Sequence, residues 1–560
     1  MINYRKEYER WLSMVNESDL KEELLNMDKK GIEDAFYRNL AFGTGGLRGI
    51  LGAGTNRMNV YVVAKASQGL VDYIIENHGK SVVIGFDSRI KSDLFAKTAA
   101  CVFAANGIEV NMWPQLLPVP TVSYAVRALG ASEGVMITAS HNPSKYNGYK
   151  VYGSDGCQIT TEAAKAILEK IDALDIFSGV KKMDFDEAVS AGKIKYIDKK
   201  VLDSFLEEVK NQSVLYGDEI DRNVAIVYSP LNGTGLIPVT RALKESGFTN
   251  ITVVDEQRNP DGNFPTCPYP NPEVREAMEL GLEYCRKTGA DLLLATDPDA
   301  DRCGIAVKDE EEYRLLSGNE VGLLLLDYIC SQRVKHNKMS EHPVFIKTIV
   351  TMDLAEKIAK NYGVETINVL TGFKFIGEQI GRLEAQGRAT DYICGFEESY
   401  GYLTGSYVRD KDAVNAAYMI CEMFAYYKTR GISLLGKLAE IFDKYGYCLN
   451  TLHSFEFPGS SGMQKMSEIM QVFRKGLDEI AGMKVIRTED YLEGLKGLPK
   501  SDVIKYFYEG ESLQGSVVIR PSGTEPKLKA YISVNVKSME LADIIEKNIK
   551  DEISRIIMGN

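Results

Sequence analysis

Three times along this chain an apolar, strand-like run is followed by a turn, a helical stretch and a second strand-like run. The first copy opens with VVIGFDSR at 82–89 and reaches IEVNMW at 108–113. The second opens with VAIVYSPLNGTG at 224–235 and reaches ITVVDEQ at 251–257. The third opens with VFIKTIVTMD at 344–353 and reaches TINVLTGFKFIG at 366–377. Each second run starts some two dozen residues after the first, room enough for a crossover helix, so right-handed βαβ units with parallel strands are expected. The three copies predict three similar mixed α/β/α domains.

The ends of the chain break this pattern. The first forty or so residues mix apolar and charged positions as helices do, and they run into a glycine-rich loop, FGTGGLRG, at 42–49. Residues 501–536 read as strands and tight turns, and MELADIIEKNIKDEISRII at 539–557 as a helix. That predicts a smaller C-terminal α+β domain. A length of 560 residues, at roughly 150 per domain, also favours about four domains. The expected divisions are 1–205, 206–316, 317–440 and 441–560, with the charged stretches near 181–203 and 430–450 as connections.

Charge narrows the partners. Lys plus Arg is 66 against 78 for Asp plus Glu, a net charge of −12. Such a balance attracts neither nucleic acid nor other anions globally, so an anionic substrate needs a local basic site. The nine cysteines contain no C-x-x-C and read as reduced thiols. The charged N-terminal stretch lacks the apolar core of a signal peptide, and VGLLLLDYIC at 321–330 is too short to cross a bilayer. A cytoplasmic protein without membrane contact is expected.

Four loops carry candidate chemistry. LLLATDPDADRCG at 292–304 sets Asp297, Asp299 and Asp301 at alternate positions after a buried-strand profile. Three crowded carboxylates repel one another, and a divalent cation relieves that cost. An EF-hand loop also begins D-x-D-x-D, but it requires Gly at its sixth position and Glu at its twelfth, where Arg302 and Lys308 stand. A hard-cation site, most naturally for Mg²⁺, is the better reading, with Arg302 beside it to neutralise a phosphoryl group. VVIRPSGTEPKLK at 517–529 places Arg520, Ser522, Gly523, Thr524 and Lys527 together. That combination offers a planar fork, hydroxyls and open backbone amides to an anion. In CGFEESYGYLTGSYVRDKD at 394–412, Glu397, Glu398 and Ser399 suit sugar hydroxyls, but read by itself this loop favours a solvated turn.

The fourth loop, VMITASHNPSKYNGYKVY at 135–152, ends a strand-like run in Ser140. No G-x-S-x-G elbow surrounds it, so a hydrolase triad is not indicated. His141 is adjacent, and neighbours on extended backbone point to opposite faces, so His141 is not the obvious base for Ser140, and proton transfer stays an open role for it and for Lys150. A helix N-cap is the competing role for Ser140.

Taken in order, TASHNP, DPDADR, GFEESYG and RPSGTEPK resemble the phosphoserine, metal, sugar and phosphate loops of the α-D-phosphohexomutase superfamily, most closely its long phosphoglucomutase branch, over nearly the whole chain. The resemblance implies four domains around a central active-site cleft. It implies Ser140 as the phosphorylated residue, with Asp297, Asp299 and Asp301 holding one Mg²⁺ together with an oxygen at Ser140. Glu397 and Ser399 would bind sugar hydroxyls, and Arg520, Ser522, Gly523 and Thr524 the phosphate that is not transferred. Arg48 matches an active-site arginine, His141 and Lys150 match positions near the phosphoserine, and Lys411 matches a proton-transfer lysine. Thr371 and Gly372, in TGFKFIG, match the third domain's substrate loop. Lys527 follows Glu525-Pro526, where several relatives carry other residues, which sets it apart from Arg520.

The implied reaction exchanges the 1- and 6-phosphates of a sugar through a phosphoserine and a glucose 1,6-bisphosphate intermediate and activator. Glucose is favoured over mannose or a pentose. A Mg²⁺-dependent sugar-phosphate phosphatase built on the same aspartates is the reading from a different class.

Overall fold

The computed structural model describes residues 3–43, 45–457, 460–511, 513–522 and 527–559. Three helices, Tyr4–Met14, Ser18–Asn26 and Lys29–Phe36, lead into the first sheet. They dock through Trp11, which is fully buried and meets Phe36, Tyr61 and Phe177 edge-on.

Each predicted pair of strands is a parallel pair. Ser81–Phe86 lies beside Glu109–Met112, Ile226–Ser229 beside Ile251–Val253, and Val344–Thr348 beside Glu365–Val369. Helices Ser92–Ala105, Leu236–Glu245 and Leu354–Asn361 make the crossovers. A further parallel strand flanks each opening strand on its other side: Glu133–Ile137, Leu292–Thr296 and Tyr392–Phe396. The chain then reverses into an antiparallel neighbour, Tyr146–Gly153, Cys303–Asp309 or Tyr402–Thr404. The three units therefore share one strand order over these four strands, and the same reversal recurs at the carboxyl end of the third parallel strand. Those reversals hold Ser140, the aspartate triplet and Glu397. Chain ends of parallel strands, where side chains leave the sheet free of helix cover, are the usual seat of ligand sites in open α/β folds.

The closing domain is a six-stranded antiparallel sheet. Its order is Tyr447–Glu456, Lys527–Val536, Leu513–Pro521, Ile504–Gly510, Met483–Asp490, Glu479–Ile480. Helices Ser460–Arg474 and Met539–Met558 accompany the sheet, and Ile549, Ile553 and Ile557 of the second are core residues. The sheet also meets the third unit through polar groups: Lys505 Nζ donates to Ile349 O at 2.9 Å and to Asp353 Oδ1 at 3.0 Å, and Ser516 Oγ to Asp353 Oδ2 at 2.9 Å.

Parts of the stretches expected as connections are helical. Helices Lys199–Lys210 and Leu434–Tyr445 run through 205/206 and 440/441. Both are amphipathic: Leu202, Phe205, Leu206 and Val209 of the first are buried, as are Leu434, Leu438 and Ile441 of the second. Their charged faces are what a linker reading detects. The run Val321–Cys330 lies within helix Gly318–Lys335 and is buried throughout because it packs inside the molecule. Among the described residues no helix is long and apolar enough to cross a membrane.

Candidate active site

Strand Glu133–Ile137 is almost wholly buried, and it delivers Thr138 and Ser140 into the centre of the molecule. No helix starts at Ser140; the loop returns into strand Tyr146–Gly153, so the N-cap role does not apply. Ser140 instead adopts φ 51°, in the left-handed region that non-glycine residues seldom occupy. That conformation changes the geometry on which the His141 argument rested. The extended-chain argument fails once the backbone turns left-handed, and His141 Nδ1 lies 3.1 Å from Ser140 Oγ. Ser140 Oγ also donates to Asp297 Oδ2 at 2.8 Å, while Ser140 N donates to Thr138 Oγ1 at 2.9 Å.

The conformation is held from below by a residue the sequence reading did not single out. Arg89 is buried, and its guanidinium donates to the carbonyls of Ser140 and Asn142, and to those of Pro143 and Tyr146 at 3.0 Å each. Asp87 orients it: Arg89 N donates to Asp87 Oδ1 at 2.9 Å, and Asp87 Oδ2 lies 3.4 Å from Arg89 Nε. The ring of Phe264, from the second unit, covers the guanidinium at 5.1 Å. The available signal was position, since Asp87 and Arg89 follow a parallel strand just as Ser140 and Asp297 do.

The three aspartates converge on Ser140. Their side chains are buried, and one carboxylate oxygen from each lies within 4.8 Å of the others. Backbone amides of Asp301 and Arg302 donate to Asp297 Oδ1 at 3.0 Å each, and Thr138 Oγ1 donates to Asp299 Oδ2 at 3.1 Å. Asp299 Oδ1 and Asp301 Oδ1 are buried and accept no hydrogen bond among the described residues. Buried, unsatisfied carboxylate oxygens facing one another are the donor set a hard divalent cation takes. Burial, with Asp299 and Asp301 alongside, pushes Asp297 well above the usual carboxylate range. Burial pushes Asp301 up as well, but Lys411, Lys150 and Arg302 outweigh it and hold Asp301 below that range.

Cations ring this cluster. Lys150 Nζ sits 2.9 Å from Asp299 Oδ2 and 3.4 Å from Asp301 Oδ2. Lys411 Nζ sits 3.2 Å from Asp301 Oδ2 and 2.9 Å from Asp410 Oδ1. Burial favours the neutral amine of Lys411, yet Asp301, Asp410 and Glu397 reverse this and hold it as a strong cation. Arg302 pairs with Glu273 and donates to Ser399 O at 3.1 Å, tying the metal loop to the sugar loop. Arg48 stands exposed on strand Gly46–Ile50, opposite Gly148. Burial, then the charges of Arg302 and Arg48, hold His141 well below its ordinary pKa, so its ring is neutral.

The loop that holds Glu397, Glu398 and Ser399 forms the third wall. Glu397 is buried, and its Oε1 accepts from Gly372 N at 3.1 Å. Gly372 has φ 122°, which a side chain would strain, and it caps helix Phe373–Ala385. Thr371 Oγ1 is buried without a hydrogen-bond partner among the described residues. A side chain at Gly401 would overlap the Lys411 stem. Burial raises Glu397 to about 7, with Lys411 opposing and Glu398 adding to the rise. The charge of Arg520 acts on Glu398, which places the closing domain's arginine within electrostatic reach of the sugar loop. Ser522 N donates to Lys527 O at 2.7 Å, and Lys527 Nζ lies 3.4 Å from Glu456 Oε1 on the neighbouring strand. Gly523 and Thr524 lie outside the described residues.

Ser140, His141, Lys150, the three aspartates, Arg302, Lys411, Glu397 and Ser399 thus meet in one cluster drawn from three units. The arrangement offers a hydroxyl beside a cation-ready carboxylate triad, lysines and arginines for phosphoryl charge, and a buried carboxylate for polyol recognition.

Known proteins share this architecture. Residues 39–176, 203–310 and 317–445 match, in that order, "Phosphoglucomutase/phosphomannomutase, alpha/beta/alpha" domains I, II and III. A phosphoglucomutase of Staphylococcus saprophyticus is 36% identical, with 97% of this chain and 99% of that protein aligned. Among solved structures, the open form of the Paramecium phosphoglucomutase parafusin superposes with a TM-score of 0.69 at 17% identity, covering 93% of this chain and 96% of that one. An Aspergillus fumigatus N-acetylphosphoglucosamine mutase, solved with GlcNAc-6P and magnesium, superposes with a TM-score of 0.51 at 14% identity, covering 93% and 95%.

Proposed function

Because this chain belongs to the phosphoglucomutase/phosphomannomutase family, we propose that its phosphoglucomutase activity runs through a phosphoryl group carried on Ser140 and a glucose 1,6-bisphosphate intermediate. The observation that carries this reading is Ser140 Oγ, 2.8 Å from Asp297 Oδ2 at the edge of a buried aspartate triad.

The two transfers are the reverse of one another. In the first, a free hydroxyl of glucose phosphate attacks the phosphorus on Ser140; the new O–P bond forms as the Ser140 Oγ–P bond breaks. In the second, after the bisphosphate has turned over, Ser140 Oγ attacks the other phosphate; the Oγ–P bond forms as the sugar O–P bond breaks, the freed sugar oxygen takes up a proton, and the carrier is restored. The attacking Ser140 hydroxyl has two groups in reach of its proton, Asp297 Oδ2 at 2.8 Å and, in the tautomer that leaves Nδ1 bare, the neutral ring of His141 at 3.1 Å. Lys150, Lys411 and Arg302 are positioned to balance the charge spread over the phosphoryl oxygens, and such preorganised charge is the main source of rate in phosphoryl transfer. Lys411 enters as a fixed cation, so charge stabilisation is the role its surroundings favour over proton transfer. Asp297, Asp299 and Asp301 fit Mg²⁺, the ion named for the Aspergillus enzyme. When bound, Mg²⁺ supplies Lewis-acid stabilisation of phosphoryl charge. Glu397, with Ser399 and Thr371 nearby, reads sugar hydroxyls. Arg520 and the loop that follows hold the phosphate that stays in place.

Turnover of glucose 1-phosphate with a trace of glucose 1,6-bisphosphate tests this. Glucose 6-phosphate should form without free phosphate, and the chain should gain the mass of one phosphoryl group at Ser140. The Ser140→Ala variant should lose both while keeping its fold. Normal turnover by that variant would refute the carrier role, and stoichiometric release of phosphate would make the chain a phosphatase. Parallel assays with mannose and pentose 1-phosphates rank the sugars, with glucose expected first.

A further inference from the structure

A cavity of 660 Å³ opens where helix Val119–Leu129, the segment 208–216 and the third α/β unit meet, and none of the cluster around Ser140 lines it. We propose that it binds a nucleoside phosphate. Its volume falls within the roughly 300–1,000 Å³ of small-molecule sites.

Two cations in its wall point to the phosphate. Arg333 stands in the last turn of helix Gly318–Lys335, and Lys338 follows just beyond, its N donating to Arg333 O at 2.7 Å. Neither has a carboxylate within ion-pair distance among the described residues, and Arg333 Nε is buried without a hydrogen-bond partner. Arg333 and Lys338 both line the cavity, and two cationic side chains without a carboxylate partner are suited to a phosphate's oxygens. Two carboxylates, Glu384 and Glu208, share the wall with them. Glu384 is already shared by Arg127, at 2.8 Å, and by Arg409, at 2.5 Å.

Aromatic surface points to a flat ring. Tyr216 is 40% exposed where it lines the cavity. It keeps φ 48° and packs its ring 5.5 Å from that of His336, so it is presented on a fixed backbone. Tyr124 also lines the cavity and is braced edge-on by Phe205 and Tyr407. Glu208 and Gln212, between the tyrosines in sequence, offer acceptors and a donor to ring amino groups or ribose hydroxyls.

Both walls lead to the catalytic cluster. Tyr124 and Arg127 belong to helix Val119–Leu129, whose first amide, Val119 N, donates to Asp299 O at 2.9 Å. Gly405, Ser406 and Tyr407 line the cavity four to six residues before Lys411, and Arg409 N accepts its fixed position by donating to Ser123 Oγ at 2.9 Å. An occupant therefore bears on the elements that place Asp299 and Lys411, and nucleotide should alter mutase turnover.

Calorimetric titration of the full chain with AMP, GMP and CMP tests the site. At least one should bind with one-to-one stoichiometry and should not be displaced by saturating glucose 6-phosphate. The Arg333→Gln/Lys338→Gln variant should bind it at least tenfold more weakly while keeping wild-type turnover without nucleotide. Tyr216→Ala, on the surface, should weaken nucleotide binding in the same way should the double variant prove unstable. Absence of binding by all three nucleotides, displacement by glucose 6-phosphate, or undiminished affinity in the variants would overturn the proposal.

Discussion

Ser140 Oγ and Asp297 Oδ2 are joined by a 2.8 Å hydrogen bond, although they belong to different sheets and stand 157 residues apart. Burial and two neighbouring carboxylates all disfavour the ionised form of Asp297. Asp297→Asn keeps the acceptor that receives the amides of Asp301 and Arg302 but removes that charge. Metal-free Asp297→Asn should therefore melt at or above the wild-type temperature while turnover falls by about 10²-fold or more. Thermal melts and initial rates on the same preparations decide this; a variant that is destabilised and inactive in parallel would contradict it.

Arg89 gives a different test, since it touches no substrate. Its fork reaches four carbonyls of the Ser140 loop, and an ammonium cannot span them. Misplacing a reacting group by an ångström can cost about 10²-fold in rate. Arg89→Lys should lower kcat by about that factor and leave KM for glucose 1-phosphate near wild type, because the sugar loop is untouched. A raised KM with unchanged kcat would show that Arg89 does not position Ser140.

Glu397 makes stability depend on pH in a defined direction. Its folded pKa, about 7, lies above the ordinary 4.5, so the folded chain keeps a proton that the unfolded chain has lost over this interval. That contribution is fully present below the ordinary value and disappears as pH rises through about 7. Glu397→Gln stays neutral at every pH, so its melting temperature should gain on the wild type between pH 5 and pH 8. A constant difference across that range would refute the shift.

Metal binding should register in stability as well as in rate. A ligand present at 100 times its Kd stabilises the folded form by about 2.7 kcal/mol. Adding Mg²⁺ to chelator-treated protein should raise Tm and restore turnover, and Asp299→Asn should reduce the rise. An equal rise in that variant would place the ion elsewhere.

Much of this molecule was legible in order of residues alone. Strands and crossover helices announce themselves through local periodicity, and a loop that ends a buried strand shows its chemistry in a few letters, as DPDADR does. The alternation therefore predicted three α/β units, and the strand-end motifs pointed to Ser140 and the aspartates. What local pattern cannot carry is any property that depends on a distant neighbour. His141 faces Ser140 Oγ because Ser140 turns left-handed, and that turn is held by an arginine 51 residues earlier. Lys411 is a fixed cation because Asp301 reaches it from another sheet, and Glu397 titrates near neutrality because folding strips its water away. Residue types were chosen along the chain; their charge states and facing partners arise only when three equivalent strand reversals are packed against one another.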